Sequence, residues 1–256
     1  MDSGVVHMRT LRKGIGYVAL ALPFALVGGE NVRDRLLPGP RVGGRVIIEA
    51  SISAYFHTGV RDLFVGSLCA IAVFLLCYKG YQRIDDIAAN IAGFCVLLVA
   101  LFPTFERSRE ASDTGIGAPD SVTLFSGPNG ADPTLVGNIH FAAAALFFLI
   151  LGLMSLFLFT RSDQPVRTPQ KLWRNRVYRI CGLAILAAIA LIAVGKLAFG
   201  EAWEQRTSFV FWMETIAVIA FGISWLTKAE VLFGDRDDGS GGLGAPPAGR
   251  AHRVEV

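Results

Sequence analysis

Apolar runs long enough to cross a bilayer, separated by short polar stretches, set the pattern of this chain. The first is Gly14 to Gly29, GIGYVALALPFALVGG, uncharged and preceded by Arg9, Arg12 and Lys13. Further runs cover 62–78, 87–104, 139–160, 177–199 and 208–227. At about 1.5 Å of rise per residue, a helix over each reaches across most of a hydrocarbon core of roughly 30 Å. The pattern predicts an all-α, polytopic integral membrane protein: a bundle of six transmembrane helices within a single domain over 1–233. Gly234 onward, GDRDDGSGGLGAPPAGR, reads as a flexible cytoplasmic tail over 234–256 that need not fold. The basic front and small-residue end of the first run also fit a signal peptide cleaved after Gly29. Its length and the spans that follow favour a retained helix, with a kink at Pro23.

The polar stretches carry their own signals. Pro38-Gly39-Pro40 and Gly43-Gly44 mark a loop over 30–45, and 46–56 is mildly apolar, as expected of a surface-lying or re-entrant segment. Asp85 and Asp86 stand where a helix start favours acids. Ala89 and Gly93 offer a small face for close helix contact. Residues 105–138 form the longest interruption, rich in turn formers and acids. This segment is expected to lie over the polar groups at its end of the bundle. Asp132-Pro133 is a good helix entry. Trp203 reads as an interface anchor in a short turn over 201–206.

Composition agrees with the pattern. Of 256 residues 53% are hydrophobic and 18% charged, and the mean hydropathy is positive, normal for a membrane-embedded chain. The net charge is +3, and the basic residues lie between the apolar runs without making a stripe. Membrane lipids are thus the expected partners and nucleic acid is not. The four cysteines, Cys69, Cys77, Cys95 and Cys181, all fall inside apolar runs, where they read as packing residues.

Six spans put both termini on one side. That side collects Arg9, Arg12, Lys13, Lys79, Arg83, the basic 161–179 stretch and Lys228. The positive-inside rule makes it cytoplasmic and places the protein in the inner (plasma) membrane, although Arg33, Arg35, Arg41 and Arg45 run against it. The 161–179 stretch would serve as a topology determinant or meet anionic lipid head groups.

This threading brings ionisable groups to one level. Ser53, His57 and Asp62, in the stretch SISAYFHTGVRDLFVG, lie at the outer end of the second span. His140 begins the fourth, and Glu214 lies in the outer half of the sixth. Such groups are costly in lipid and face the bundle interior or a wet cavity. These five are the catalytic candidates. As a metal set, His57 and His140 with Asp62 or Glu214 would hold a zinc ion with an open position for water; a haem between the two histidines is a further arrangement. Ser53 and His57 are four apart and would share one face of a helix. Glu214 has Lys196, Arg61 or His140 as expected partners, and Asp62 would equally cap its helix. Two functions follow: an outward-facing polar pocket for a lipid or small molecule, or a zinc-dependent hydrolase of lipid amides or esters. A proton-coupled transporter would want paired broken helices and an internal repeat.

ISAYFHTGVRDLFVG, YKGYQRIDD, VALFPT, IHFAAAALFFL, SLFLFT and RNRVYRICG together resemble a family of bacterial multi-pass membrane proteins over about residues 47–233. The resemblance implies an integral membrane location and no particular activity. Ser53, His57 and Asp62 also faintly resemble the Ser–His spacing and acid of the alkaline ceramidase and progestin/adiponectin-receptor superfamily of membrane hydrolases, which implies zinc. The late His pair of that superfamily is missing here, where the sixth span offers Glu214, and the chain has one span fewer.

Overall fold

The computed structural model describes residues 3–36, 46–102, 104, 133–161 and 169–232. Among these the fold is all-helical, with no strand. Six helices follow in order: α1 (Ser3–Leu36), α2 (Arg61–Leu76), α3 (Arg83–Leu101), α4 (Pro133–Leu153), α5 (Pro169–Thr207) and α6 (Phe209–Lys228). A 3₁₀ turn, Ser53–His57, precedes α2, and a π-helical turn, Met154–Leu158, prolongs α4. Each helix packs on its neighbour in the chain, and α6 returns to α1, so the bundle closes into a ring.

Successive helices run in opposite directions. One end of the bundle joins Arg12, Tyr78, Phe159 and Trp225, from the start of α1 and the ends of α2, α4 and α6. The other end joins Asn31 to Ile47, Ile52 to Glu214 and His140 to Phe102. Small residues set the closest approaches. A Cβ on Gly16 of α1 would lie 2.6 Å from Leu226 Cγ and 3.0 Å from the Gly222 carbonyl oxygen of α6. Gly152 and Gly182 bring α4 and α5 together in the same way. The expected small face is also in use: Ala89 and Gly93 are buried, and Gly93 sits against Ala72 and Leu76 of α2. Near the Trp225 end, Ser155 of the π turn makes two buried bonds, donating to the Tyr178 carbonyl at 2.8 Å and sharing a 2.7 Å bond with Ser224, which tie α4, α5 and α6.

Among the described residues five helices are long and apolar enough to cross a membrane: Met8–Leu36, Arg83–Leu101, Leu135–Leu158, Pro169–Gly200 and Phe209–Lys228. The sixth expected span is α2, with 16 residues, or about 24 Å.

Several boundaries differ from the sequence expectation. α1 runs past Gly29 to Leu36, and α5 already begins at Pro169, inside the basic stretch. Hydropathy locates the apolar middle of a helix, whereas Arg, Lys and Glu at its ends are good helix formers and extend it. The stretch over 201–206 is helical, not a turn, and the break falls one residue earlier, at Gly200, whose φ of 70° and ψ of 178° suit glycine alone. Trp203 stacks between Phe199 and Phe209 across that break. Asp85 caps α3 as expected: its carboxylate accepts from the Tyr81 and Gln82 N–H groups, in a capping box with Gln82. Cys95 and Cys181 are buried, Cys69 is half-buried, and Cys77, at the end of α2, is exposed. The predicted 105–132 part of the long interruption, the 37–45 part of the first loop and the 234–256 tail lie outside the described residues.

Candidate functional site

The described residues 46–60 form a cap over one end of the ring. It is held by polar bonds to two helices, which its mild hydropathy did not announce. Asn31 of α1 pairs with the backbone of Ile47 as another strand would, donating to its carbonyl at 2.9 Å and accepting from its N–H at 2.8 Å. Phe211 N–H donates to the Ala50 carbonyl at 2.9 Å, which satisfies a free amide in the first turn of α6. Glu214 Oε2 accepts from Ile52 N–H at 2.6 Å. Tyr55 is buried within the cap, and its hydroxyl accepts from Glu49 N–H at 3.5 Å. Burial pushes the Tyr55 phenol up to about 12, against the smaller opposing effect of the Glu49 bond.

Under the cap lies a cavity of about 50 Å³. Its walls come from every helix except α5. Leu22 of α1, Phe64 and Leu68 of α2, and Val96 of α3 form one side, with Phe147 of α4 and Phe221 of α6 opposite. Three residues with polar side chains border this largely apolar space: Ser53 from the cap, His140 from α4 and Glu214 from α6. Ser53 and His140 are themselves buried. The Ser53 hydroxyl lies 3.0 Å from that of Ser51, which accepts from Ala54 N–H.

The structure thus brings three of the five sequence candidates to one cavity. His57 faces elsewhere: its Nε2 donates to the Thr104 carbonyl at 2.9 Å. The reason is the helix type. Ser53 and His57 lie on a 3₁₀ turn of three residues per turn, so positions four apart point about 120° away from each other, not along one face as on an α-helix. Asp62 is exposed in the first turn of α2, among the acids favoured by the helix dipole, and makes no capping hydrogen bond. Among the described residues no group of three or more His, Cys, Asp or Glu side chains converges as a set of metal ligands. Among the described residues His57, His140, Asp62 and Glu214 are not drawn into one such group.

Both histidines instead serve the end of α3. That helix stops at Leu101 before the extended Phe102, as the following proline favours, and leaves carbonyls without helical partners. His140 Nδ1 donates to the Phe102 carbonyl at 2.7 Å, and His57 takes that of Thr104. The expected ionic partners of Glu214 are engaged with rings: Lys196 Nζ lies 4.2 Å from the Phe141 ring centre and the Arg61 guanidinium 4.3 Å from that of Phe56. The Glu214 bond to a backbone N–H in the cap was not legible, because a main-chain donor has no sequence signature.

Among the described residues, fold and cavity define a closed ring of six helices, five of them of membrane length, with a largely apolar cavity beneath the 46–60 cap. No family model, curated protein or solved structure matches the chain.

Proposed function

We propose that the chain is a multi-pass integral membrane protein with six spans whose capped cavity binds a small amphiphile, the end of a lipid or a lipid-like molecule. Ser53, His140 and Glu214 would meet its hydrogen-bonding group. The aromatic walls from Phe64, Phe147 and Phe221 would take its apolar part. The observation that carries this reading is that three residues with polar side chains, from three separate elements, border one apolar cavity. The volume suits a short apolar segment with a small polar group, not a whole phospholipid.

The outer faces of the helices support the membrane setting. Phe24, Val73, Phe94, Leu149, Leu183 and Trp212, one on each helix in turn, are exposed. In water such a belt would be a large apolar patch; in lipid it is the proper surface. We place the cap on the outer side of a plasma membrane of bacterial type and both termini in the cytoplasm, because Arg9, Arg12, Lys171, Arg174, Arg176 and Lys228 gather at the opposite end.

The test is to fill the cavity. Ala144 lines it, and Ala144→Val takes up space there without overpacking so small a cavity. Wild-type protein, extracted gently and measured by native mass spectrometry, is expected to carry a small bound amphiphile that Ala144→Val has lost while keeping its thermal midpoint within a few degrees. Equal ligand content in both proteins, or none in either after reconstitution in native lipid extract, rejects the proposal.

A further inference from the structure

The opposite end of the bundle holds a second set of groups, which the cavity does not use. Lys228, the last residue of α6, is 7% exposed. Its ammonium lies over two rings, 4.5 Å from the centre of Tyr81 and 5.3 Å from that of Phe159. Around it the ends of α1 and α5 bring further cations. The Arg12 guanidinium stands 5.4 Å from the Tyr78 ring, and Lys171 Nζ stands 5.7 Å from the Tyr178 ring. Arg174 is 8% exposed. The rings themselves pack edge to face, with Tyr78 and Phe159 both against Trp225.

Against Lys228, Arg12, Lys171, Arg174 and Arg9 stand the carboxylates of Glu230, Asp85 and Asp86, the last 3.6 Å from Lys79. Glu230 is shared by two arginines, with one oxygen bonded to Arg9 and the other 3.8 Å from Arg174. Asp85 has one carboxylate oxygen committed to the N–H groups of Tyr81 and Gln82. Three side-chain atoms buried at this end lack a hydrogen-bond partner: Arg12 Nε, Asn175 Oδ1 and the second carboxylate oxygen of Asp85. A residue needed only to set topology gains nothing from burial, because the positive-inside rule counts charge and not contacts. A buried ammonium costs several kcal/mol unless a counter-charge or hydrogen bond meets it, and ring faces return only about 0.5–2 kcal/mol.

We propose that this end is a binding site for a monoanionic phosphate group, seated between the starts of α1 and α5 and the end of α6. Lys228 and Arg12 supply the charge and the donors. Arg174, held by Glu230, shapes one wall, and the Tyr78, Tyr81 and Phe159 rings exclude water behind the cations. At the level of a membrane surface the phosphate comes either from an anionic lipid head group or from free phosphate. The chemistry of the site is the same for both. It rests on this end of the bundle alone and is independent of the amphiphile cavity.

The experiment uses the full chain in nanodiscs. In one arm the bilayer is phosphatidylcholine with a minor fraction of phosphatidylglycerol, and native mass spectrometry reads the lipid retained per protein. In the other the bilayer is phosphatidylcholine alone, and inorganic phosphate is titrated while thermal unfolding is followed. Lys228→Met preserves length and packing; Arg12→Gln is the second variant, in case the first does not fold. Arg176→Gln, exposed beside Trp173, is the control for general surface charge. Retention of phosphatidylglycerol that falls about fivefold in Lys228→Met or Arg12→Gln, the worth of roughly one surface cation, and not in Arg176→Gln, supports the site with lipid as its source. Stabilisation by inorganic phosphate that the same variants abolish supports it with free phosphate as its source. No selectivity in either arm, or equal losses in all three variants, overturns it.

Discussion

Glu214 does its work on a backbone amide. Its carboxylate holds Ile52 N–H at 2.6 Å, beside Ser53 at the roof of the cavity. A part-buried carboxylate with a main-chain donor makes a charge-assisted bond, stronger than a neutral one. Glu214→Ala leaves Ile52 N–H without its acceptor and is expected to cost about 1–3 kcal/mol. Glu214→Gln keeps a carbonyl oxygen in reach and should cost less than half of that. Thermal unfolding of both variants in the same lipid ranks them, and Glu214→Gln as damaging as Glu214→Ala would show that the charge, not the acceptor, is what the cap requires. His140 is limited in a similar way. Its Nδ1 is committed to the end of α3, so His140→Ala would disturb that helix end as well as the cavity wall.

At the scale of the helices, close packing at glycine decides which elements can touch. Gly16 and Gly222 face each other where α1 crosses α6, and an added Cβ on Gly16 would meet both a leucine side chain and a backbone carbonyl. The side chain can yield, but the carbonyl cannot without moving the helix. Gly16→Ala is therefore expected to destabilise by about 1–3 kcal/mol, the usual cost of overpacking. Gly28→Ala, on the same helix with nothing within 4 Å of its Cβ position, should be neutral or slightly stabilising. Equal midpoints for the two variants would mean that α1 does not seat against α6 as described.

These comparisons show what the sequence made legible. The centre of every apolar run lies in a helix, because about twenty apolar residues have few other stable states. Helix ends were less legible, since charged helix formers continue α1 and α5 beyond the apolar stretch. The common level of Ser53, His140 and Glu214 followed from threading alone and is where the structure places them. A spacing of four puts Ser53 and His57 on one face of an α-helix but not of the 3₁₀ turn they occupy, and the sequence does not distinguish the two. The cap was out of reach: its attachment uses Asn31, Ser208 and main-chain groups of 46–52, and such bonds leave no periodicity.

For the whole molecule the decisive question is whether α2 crosses the membrane. With 16 residues it is the shortest of the six helices, and its span of about 24 Å falls short of an average hydrocarbon core. The ring nevertheless requires it to run antiparallel to α1 and α3, and its two ends lie at opposite ends of the bundle, Phe64 beside the cap and Tyr78 beside Arg12. At the Phe64 end the cap lies against the helix start, with Tyr55 and Phe56 buried. Parity makes this testable. Between Asp62 and Arg176 the chain passes through α2, α3 and α4, so the two positions lie on opposite sides of the membrane if α2 crosses and on the same side if it does not. Both are exposed. In a background with the native cysteines replaced, Asp62→Cys should react with a membrane-impermeant maleimide on intact cells and Arg176→Cys only on inverted vesicles. Labelling of both from one side would reduce the protein to five crossings and remove the cavity from the outer face, since the walls formed by Phe64 and Leu68 could then no longer stand between α1 and α3.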